Sequence, residues 1–229
     1  MDVFPEKETR LFIPGPVGKL QAIVTPGKST SGKTGLTSDN GAKQVAIVCH
    51  PHSLMGGTMN NKVVHTLARM HRDAGNAVVR FNFRGVEQSD GEYDAGIGET
   101  ADLLAVMSWI RAYFPEAELR IAGFSFGSFV ASRAVGPALE AGFKIRDLLL
   151  VAPAVENYEF DKLIEFAVPV AMIYGDQDEV VDSGRIRDWF DLVITAKCCA
   201  CLGGAGHFFH GRLPELKSQA EQLCNLEPL

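Results

Sequence analysis

The residues LRIAGFSFGSFVASRAV, Leu119–Val135, decide how the rest of the chain is read. Leu119–Gly123 is mostly apolar, as a strand covered on both faces requires, and it breaks at Gly123. Ser128–Ala141 then reads as a helix, with a perturbation expected at Gly136-Pro137. Between them stands Gly123-Phe124-Ser125-Phe126-Gly127, a Gly-x-Ser-x-Gly pattern in the strand–turn–helix context that gives it meaning. At such a turn, side chains in place of the glycines would run into strand and helix. The turn lifts the Ser125 hydroxyl above the sheet, with a helix N-terminus behind it to favour developing negative charge. Because the pattern also occurs without chemistry, Ser125 counts only if partners can be found.

Outward from this turn the chain alternates strand and helix. Strands are expected at Val45–Cys49, Ala77–Phe83, Leu148–Ala152, Val168–Tyr174 and Ala196–Leu202. Helices are expected at Lys62–Asp73 (closed by Gly75), Glu99–Phe114, Phe160–Phe166, Arg185–Val193 and Leu213–Leu223. Thr9–Ile13 and Lys19–Val24, split by Pro14-Gly15-Pro16, read as an antiparallel edge hairpin. The small polar stretch 26–43 reads as a flexible loop. Such alternation predicts an α/β fold of parallel βαβ units with helices on both faces, whose chemistry gathers beyond the carboxyl ends of the strands.

A serine hydroxyl is a poor nucleophile until a base takes its proton. In this strand–turn–helix setting the acid and then the histidine should follow later strands. Val168–Tyr174 runs into Gly175-Asp176-Gln177-Asp178, and Ala196–Leu202 runs into Gly203-Gly204-Ala205-Gly206-His207. Asp178 is the expected acid; its rival Asp176 is better suited to capping the turn at Gly175. His207 is the expected base, and His210 a partly buried structural residue. An oxyanion site needs two backbone N–H groups. Phe126 should supply one. The loop His50-Pro51-His52-Ser53-Leu54-Met55-Gly56-Gly57 should supply the other, through His52 first, with Ser53 or Leu54 as alternatives. A metal on His50 and His52 lacks a third ligand, so no metal is expected, nor any cofactor.

The chain has 229 residues, 46% apolar and 22% charged, which suits one folded domain and excludes a disordered or coiled-coil chain. Its net charge of −6, without a basic cluster, argues against a nucleic-acid or anionic-membrane partner. No apolar run reaches the roughly 18 residues that span a bilayer, and MDVFPEKETR lacks the form of a secretory signal. Five cysteines, three of them crowded at Cys198, Cys199 and Cys201, fit a reducing compartment and a cytoplasmic location. On a strand those three alternate faces and cannot converge on one metal; they read as buried small residues, and Cys49 as inert. Gly27–Thr34 fits the phosphate-loop spacing, but Gly35 and Ser38-Asp39-Asn40-Gly41 break the helix that must follow, so nucleotide binding is rejected.

Four stretches carry a family resemblance: HPHSLMGGTMNNKVV (His50–Val64), RFNFRGVEQSDGEYDAGIGE (Arg80–Glu99), GFSFGSFVA (Gly123–Ala131) and GAGHFFHGRL (Gly204–Leu213). With them the chain resembles the α/β-hydrolase superfamily, and within it a family of small lidless hydrolases related to dienelactone hydrolases. The resemblance implies an eight-stranded, mostly parallel sheet without a cap domain, a Ser125–Asp178–His207 triad and esterase-like activity on a small-molecule ester. Two positions depart from the family pattern. Ser53 stands where proline is usual, and Glu87 where a glycine is usual; if that glycine needs a positive φ, Glu87 carries a cost. Many relatives insert a cap between the strands that here end at Ala152 and begin at Val168. Only about fifteen residues lie between them, which predicts an open site and a preference for short acyl groups. A thioesterase, lactone hydrolase or peptidase would use the same residues, and a binding protein could keep the fold without turnover.

Overall fold

The computed structural model describes residues 4–28, 44–195 and 197–225. The expected polar loop and the rejected phosphate-loop pattern lie almost wholly outside them. Among the described residues, eight strands form one sheet: β1 Thr9–Gly15, β2 Gly18–Thr25, β3 Gln44–Cys49, β4 Ala77–Phe81, β5 Glu118–Phe124, β6 Lys144–Val151, β7 Val170–Gly175 and β8 Lys197–Leu202. Their order across the sheet is β1-β2-β4-β3-β5-β6-β7-β8. The β1–β2 and β2–β4 pairs are antiparallel, and every pair from β4 to β8 is parallel.

Strand side chains alternate between two apolar layers because the pleat has a period of two. Val45, Ile47 and Cys49 of β3 join the layer that meets helices α2 (Ile97–Tyr113), α3 (Phe126–Glu140) and α4 (Ser183–Leu192). Ala46 and Val48 face the other layer, built with α1 (Lys62–Asp73) and α5 (Leu213–Asn225). Helices therefore cover both faces, as the alternation predicts. β3 connects to β4 on one side of it and β5 lies on the other, so the crevice between the ends of β3 and β5 is the switch point where α/β sheets place ligands.

Most differences from the sequence reading concern element ends. The α2 helix starts two residues before Glu99, because the Glu99 carboxylate accepts the Asp94 and Gly96 N–H groups and closes the first turn. The α3 helix continues through Pro137 without a break. β4 stops at Phe81, and the side chain of Asn82 leaves the sheet to accept Met59 N–H and to donate to Gln21 and Glu87. The helix expected at Phe160–Phe166 is a single 3-10 turn, Phe160–Lys162. Tertiary bonds stretch the remainder: Ile194 N–H donates to Ile164 O, and Thr195 Oγ1 bonds both Phe166 N–H and Phe166 O. Cys198 and Cys199 do fall in opposite apolar layers, but both are half-buried and Cys201 is exposed, because β8 is the last strand of the sheet.

Two buried imidazoles make the fold sensitive to acid. His50 is fully buried and its pKa falls to about 4, chiefly through lost hydration, against a bond to Pro51 O. His71 falls to about 3 by burial and by the nearby Arg120 charge. Both rings are held neutral in the folded state, whereas unfolding lets each take a proton below about 6.5. Stability is thus complete above that value and is lost as the pH falls towards 4, by about 1.4 kcal/mol per pH unit for each ring. Asp147, raised by burial, acts in the opposite sense. Urea unfolding midpoints at pH 7 and pH 5 check the balance; a lower midpoint at pH 5 is expected, and an unchanged one contradicts it.

Candidate active site

At the carboxyl end of β5 the backbone turns straight into α3, so the helix starts at Phe126, two residues before its expected first residue. Ser125 takes φ 55° and ψ −118°, a conformation that costs an L-residue about 1–3 kcal/mol and persists only where neighbours enforce it. Its N–H is held by Val151 O at 2.8 Å. The flanking glycines are needed because backbone passes where their side chains would lie. A Cβ on Gly127 would stand 2.5 Å from Cys49 O and 2.6 Å from His50 O, and one on Gly123 would collide with the Gly127 carbonyl. Gly127→Ala should therefore lower stability by about 1–3 kcal/mol, read as a drop in urea midpoint. An unchanged midpoint would show that the turn has room to spare.

Ser125 Oγ lies 3.0 Å from His207 Nε2, and His207 Nδ1 lies 2.8 Å from Asp178 Oδ2. The His207 and Asp178 side chains are 2% and 0% exposed, so water competes weakly for either contact. Asp178 Oδ1 accepts the Val180 and Val181 N–H groups, both at 2.9 Å, which fixes the carboxylate with its second oxygen aimed at the ring. Asp176 instead accepts Gly204 N–H at 2.6 Å; it caps a turn, although one in the β8 loop and not at Gly175. His210 is exposed and its ring stacks on Phe208, so it is surface structure and not partly buried. The residue missed in the sequence is Glu179, whose carboxylate accepts His207 N–H at 3.0 Å and so ties the β7 and β8 loops together. Its position beside Asp178 was the available signal.

The β3 loop approaches Ser125 from the other side. His52 and Phe126 lie with ring centroids 5.4 Å apart. Among the described residues neither backbone N–H donates a hydrogen bond, which leaves both free for an acceptor. Leu54 N–H is occupied by His52 Nδ1 at 3.2 Å, which removes it as an alternative donor. Ser53 leaves its hydroxyl buried without a partner among the described residues. His50 anchors the loop through both nitrogens, bonding Pro51 O and accepting Phe83 N–H, so its ring is not available as a ligand. Glu87 does have positive φ, at 50°, and its carboxylate accepts from Asn82. The left-handed conformation costs it roughly 1–2 kcal/mol. Among the described residues, the other non-glycine positions of positive φ are Ala95, Ser125, Ala152 and Phe209; each lies in a connection at the carboxyl ends of the strands, where strain tends to gather around function.

A sheet of this order with a serine on a strained β5–α3 turn defines the α/β hydrolases. Known proteins agree. The model of the X-Pro dipeptidyl-peptidase (S15) family matches residues 34–142. An α/β serine hydrolase without a lid from Xanthomonas campestris is 38% identical, with a TM-score of 0.85 over 97% of this chain and 95% of its own. An α/β serine hydrolase homologue from Coxiella burnetii is also 38% identical, with a TM-score of 0.83 over 94% and 97%. An uncharacterised protein of Rickettsia prowazekii is 32% identical over 90% of this chain and 84% of its own. The chain belongs to the α/β-hydrolase superfamily, among the serine hydrolases that lack a lid. No helix of the described residues is long and apolar enough to cross a membrane.

Proposed function

We propose that the protein is a serine esterase that cleaves small carboxylic esters through an acyl-enzyme, with Ser125 as nucleophile, His207 as base and Asp178 as its orienting acid. The observation that carries this reading is the unbroken series of contacts, 3.0 Å from Ser125 Oγ to His207 and 2.8 Å from His207 to Asp178. His207 Nε2 takes the hydroxyl proton as Oγ attacks the ester carbonyl. Asp178 holds the Nδ1–H tautomer and stabilises the imidazolium without taking its proton. The Phe126 and His52 N–H groups receive the charge that develops on the carbonyl oxygen. The imidazolium then protonates the departing alcohol, and water, activated by the same ring, releases the acid.

The short Ala152–Val168 connection supports compact acyl groups, since it is too short for a cap that would bury a long chain. Five free thiols support a reducing compartment, and we place the protein in the cytoplasm. The S15 match favours one second reading, cleavage of an X-Pro amide, but it ends at residue 142 and includes neither Asp178 nor His207. A panel of acetate, butyrate and dodecanoate esters, an acyl thioester, a lactone and an X-Pro anilide tests the assignment. The short esters should turn over fastest. Faster cleavage of the dodecanoate, thioester, lactone or anilide would replace this reading.

A further inference from the structure

Ser125 has different surroundings on its two sides. His207 and Asp178 reach it from the ends of β8 and β7. Facing them is a group of rings drawn from separate loops: His52 after β3, Tyr93 after β4, and Tyr158 after β6, which reaches back over the start of α3. Phe126, 1% exposed, is their floor, with ring centroids 5.4 Å from His52, 5.7 Å from Tyr93 and 5.1 Å from Tyr158. Behind them Phe129 stacks on Tyr158 at 4.7 Å and 21°. His52, Tyr93 and Tyr158 are only half-buried, so each keeps part of its ring at the surface. Burial, and after it the neighbouring Tyr93, raises the pKa of the Tyr158 hydroxyl. The result is an aromatic wall beside the nucleophile, with His52 tilted 30° to Tyr93 and 36° to Tyr158.

We infer that His52, Tyr93 and Tyr158 form an acyl subsite selective for planar rings, so that the preferred substrates are esters of compact aryl-bearing acids. The inference rests on the esterase reading above and names its substrate class. A carbonyl attacked by Ser125 must turn its leaving oxygen towards His207, which protonates it, and its carbonyl oxygen towards the Phe126 and His52 amides. The acyl group is then directed away from His207, towards the three rings. Aromatic rings pair face-to-face offset or edge-to-face, and a saturated ring of equal size lacks the quadrupole for either arrangement. An aryl acyl group gains this contact and remains short enough for a site without a cap.

Methyl phenylacetate and methyl cyclohexylacetate share an alcohol and nearly a size, so the ratio of their kcat/KM values isolates planarity. The wild-type ratio should favour the aryl ester about tenfold. In Tyr93→Leu and in Tyr158→Leu it should fall to within about twofold. Benzyl acetate against cyclohexylmethyl acetate, where the ring is on the alcohol, should show no comparable preference. A wild-type ratio near one, a tenfold ratio kept in both variants, or a preference confined to the alcohol pair would each overturn the subsite. The wild-type comparison stands even if a variant fails to fold. Parallel fluorophosphonate labelling separates the two claims: a labelled enzyme without aryl preference loses the subsite alone, and an unlabelled one loses the esterase reading with it.

Discussion

Ester hydrolysis should fall by roughly five to six orders of magnitude in Ser125→Ala, because the proposed mechanism forms the acyl-enzyme on this hydroxyl. The free amides of His52 and Phe126 would remain and sustain a slow background above the reaction in water. The substitution leaves φ at position 125 unfavourable in the same degree, since alanine and serine both carry a Cβ. Among the described residues Ser125 makes its side-chain bond to His207 alone, so the fold loses one hydrogen bond there. Stability should therefore change by about 1 kcal/mol or less while the rate collapses. Paired measurements of kcat/KM and urea midpoint separate the two effects. A rate within tenfold of wild type would mean that Ser125 is not the nucleophile.

Asp178→Asn should cost about four orders of magnitude in kcat, with the backbone left as it is. The amide oxygen can still accept the Val180 and Val181 N–H groups now bound by Oδ1. Its NH2 group would then face His207 Nδ1 at the 2.8 Å contact and demand an acceptor there. That fixes the proton on Nε2, where it cannot receive another from Ser125. Asp176→Asn is the matched comparison, because Asp176 bonds Gly204 N–H at the surface and not the ring. It should alter the rate by less than about tenfold. If the two variants lost activity equally, the assignment of Asp178 as the orienting acid would fail.

Local chemistry explains what could be read from the sequence. The α1 helix was legible to the residue, since its apolar period runs from Val63 through Leu67 to Met70 and stops at Gly75. The three candidate residues could be picked out because each follows a mostly apolar strand, and strand ends locate loops without any knowledge of packing. The segment after Phe160 was misread because its apolar spacing fits a helix, while the bonds that extend it come from Ile194 and Thr195, some thirty residues away. Exposure of Cys201 depends on β8 being an edge, which is a property of sheet order and not of local sequence. The loss of Leu54 as an oxyanion donor depends on the His52 ring rotamer, which nothing in the loop's residue types specifies. The role proposed for Tyr158 leaves no sequence signal for a similar reason: it lies in an irregular connection, and the return of that connection over α3 brings it to His52.

The central claim is that His207 activates Ser125. Reaction with a fluorophosphonate, followed by mass spectrometry of the tryptic peptide that contains residue 125, tests it most directly. Wild type should carry one phosphonyl group on Ser125, and both Ser125→Ala and His207→Ala should remain unmodified under the same conditions. A wild-type protein that stays unmodified, or a Ser125→Ala protein modified as fast as wild type, would contradict the account.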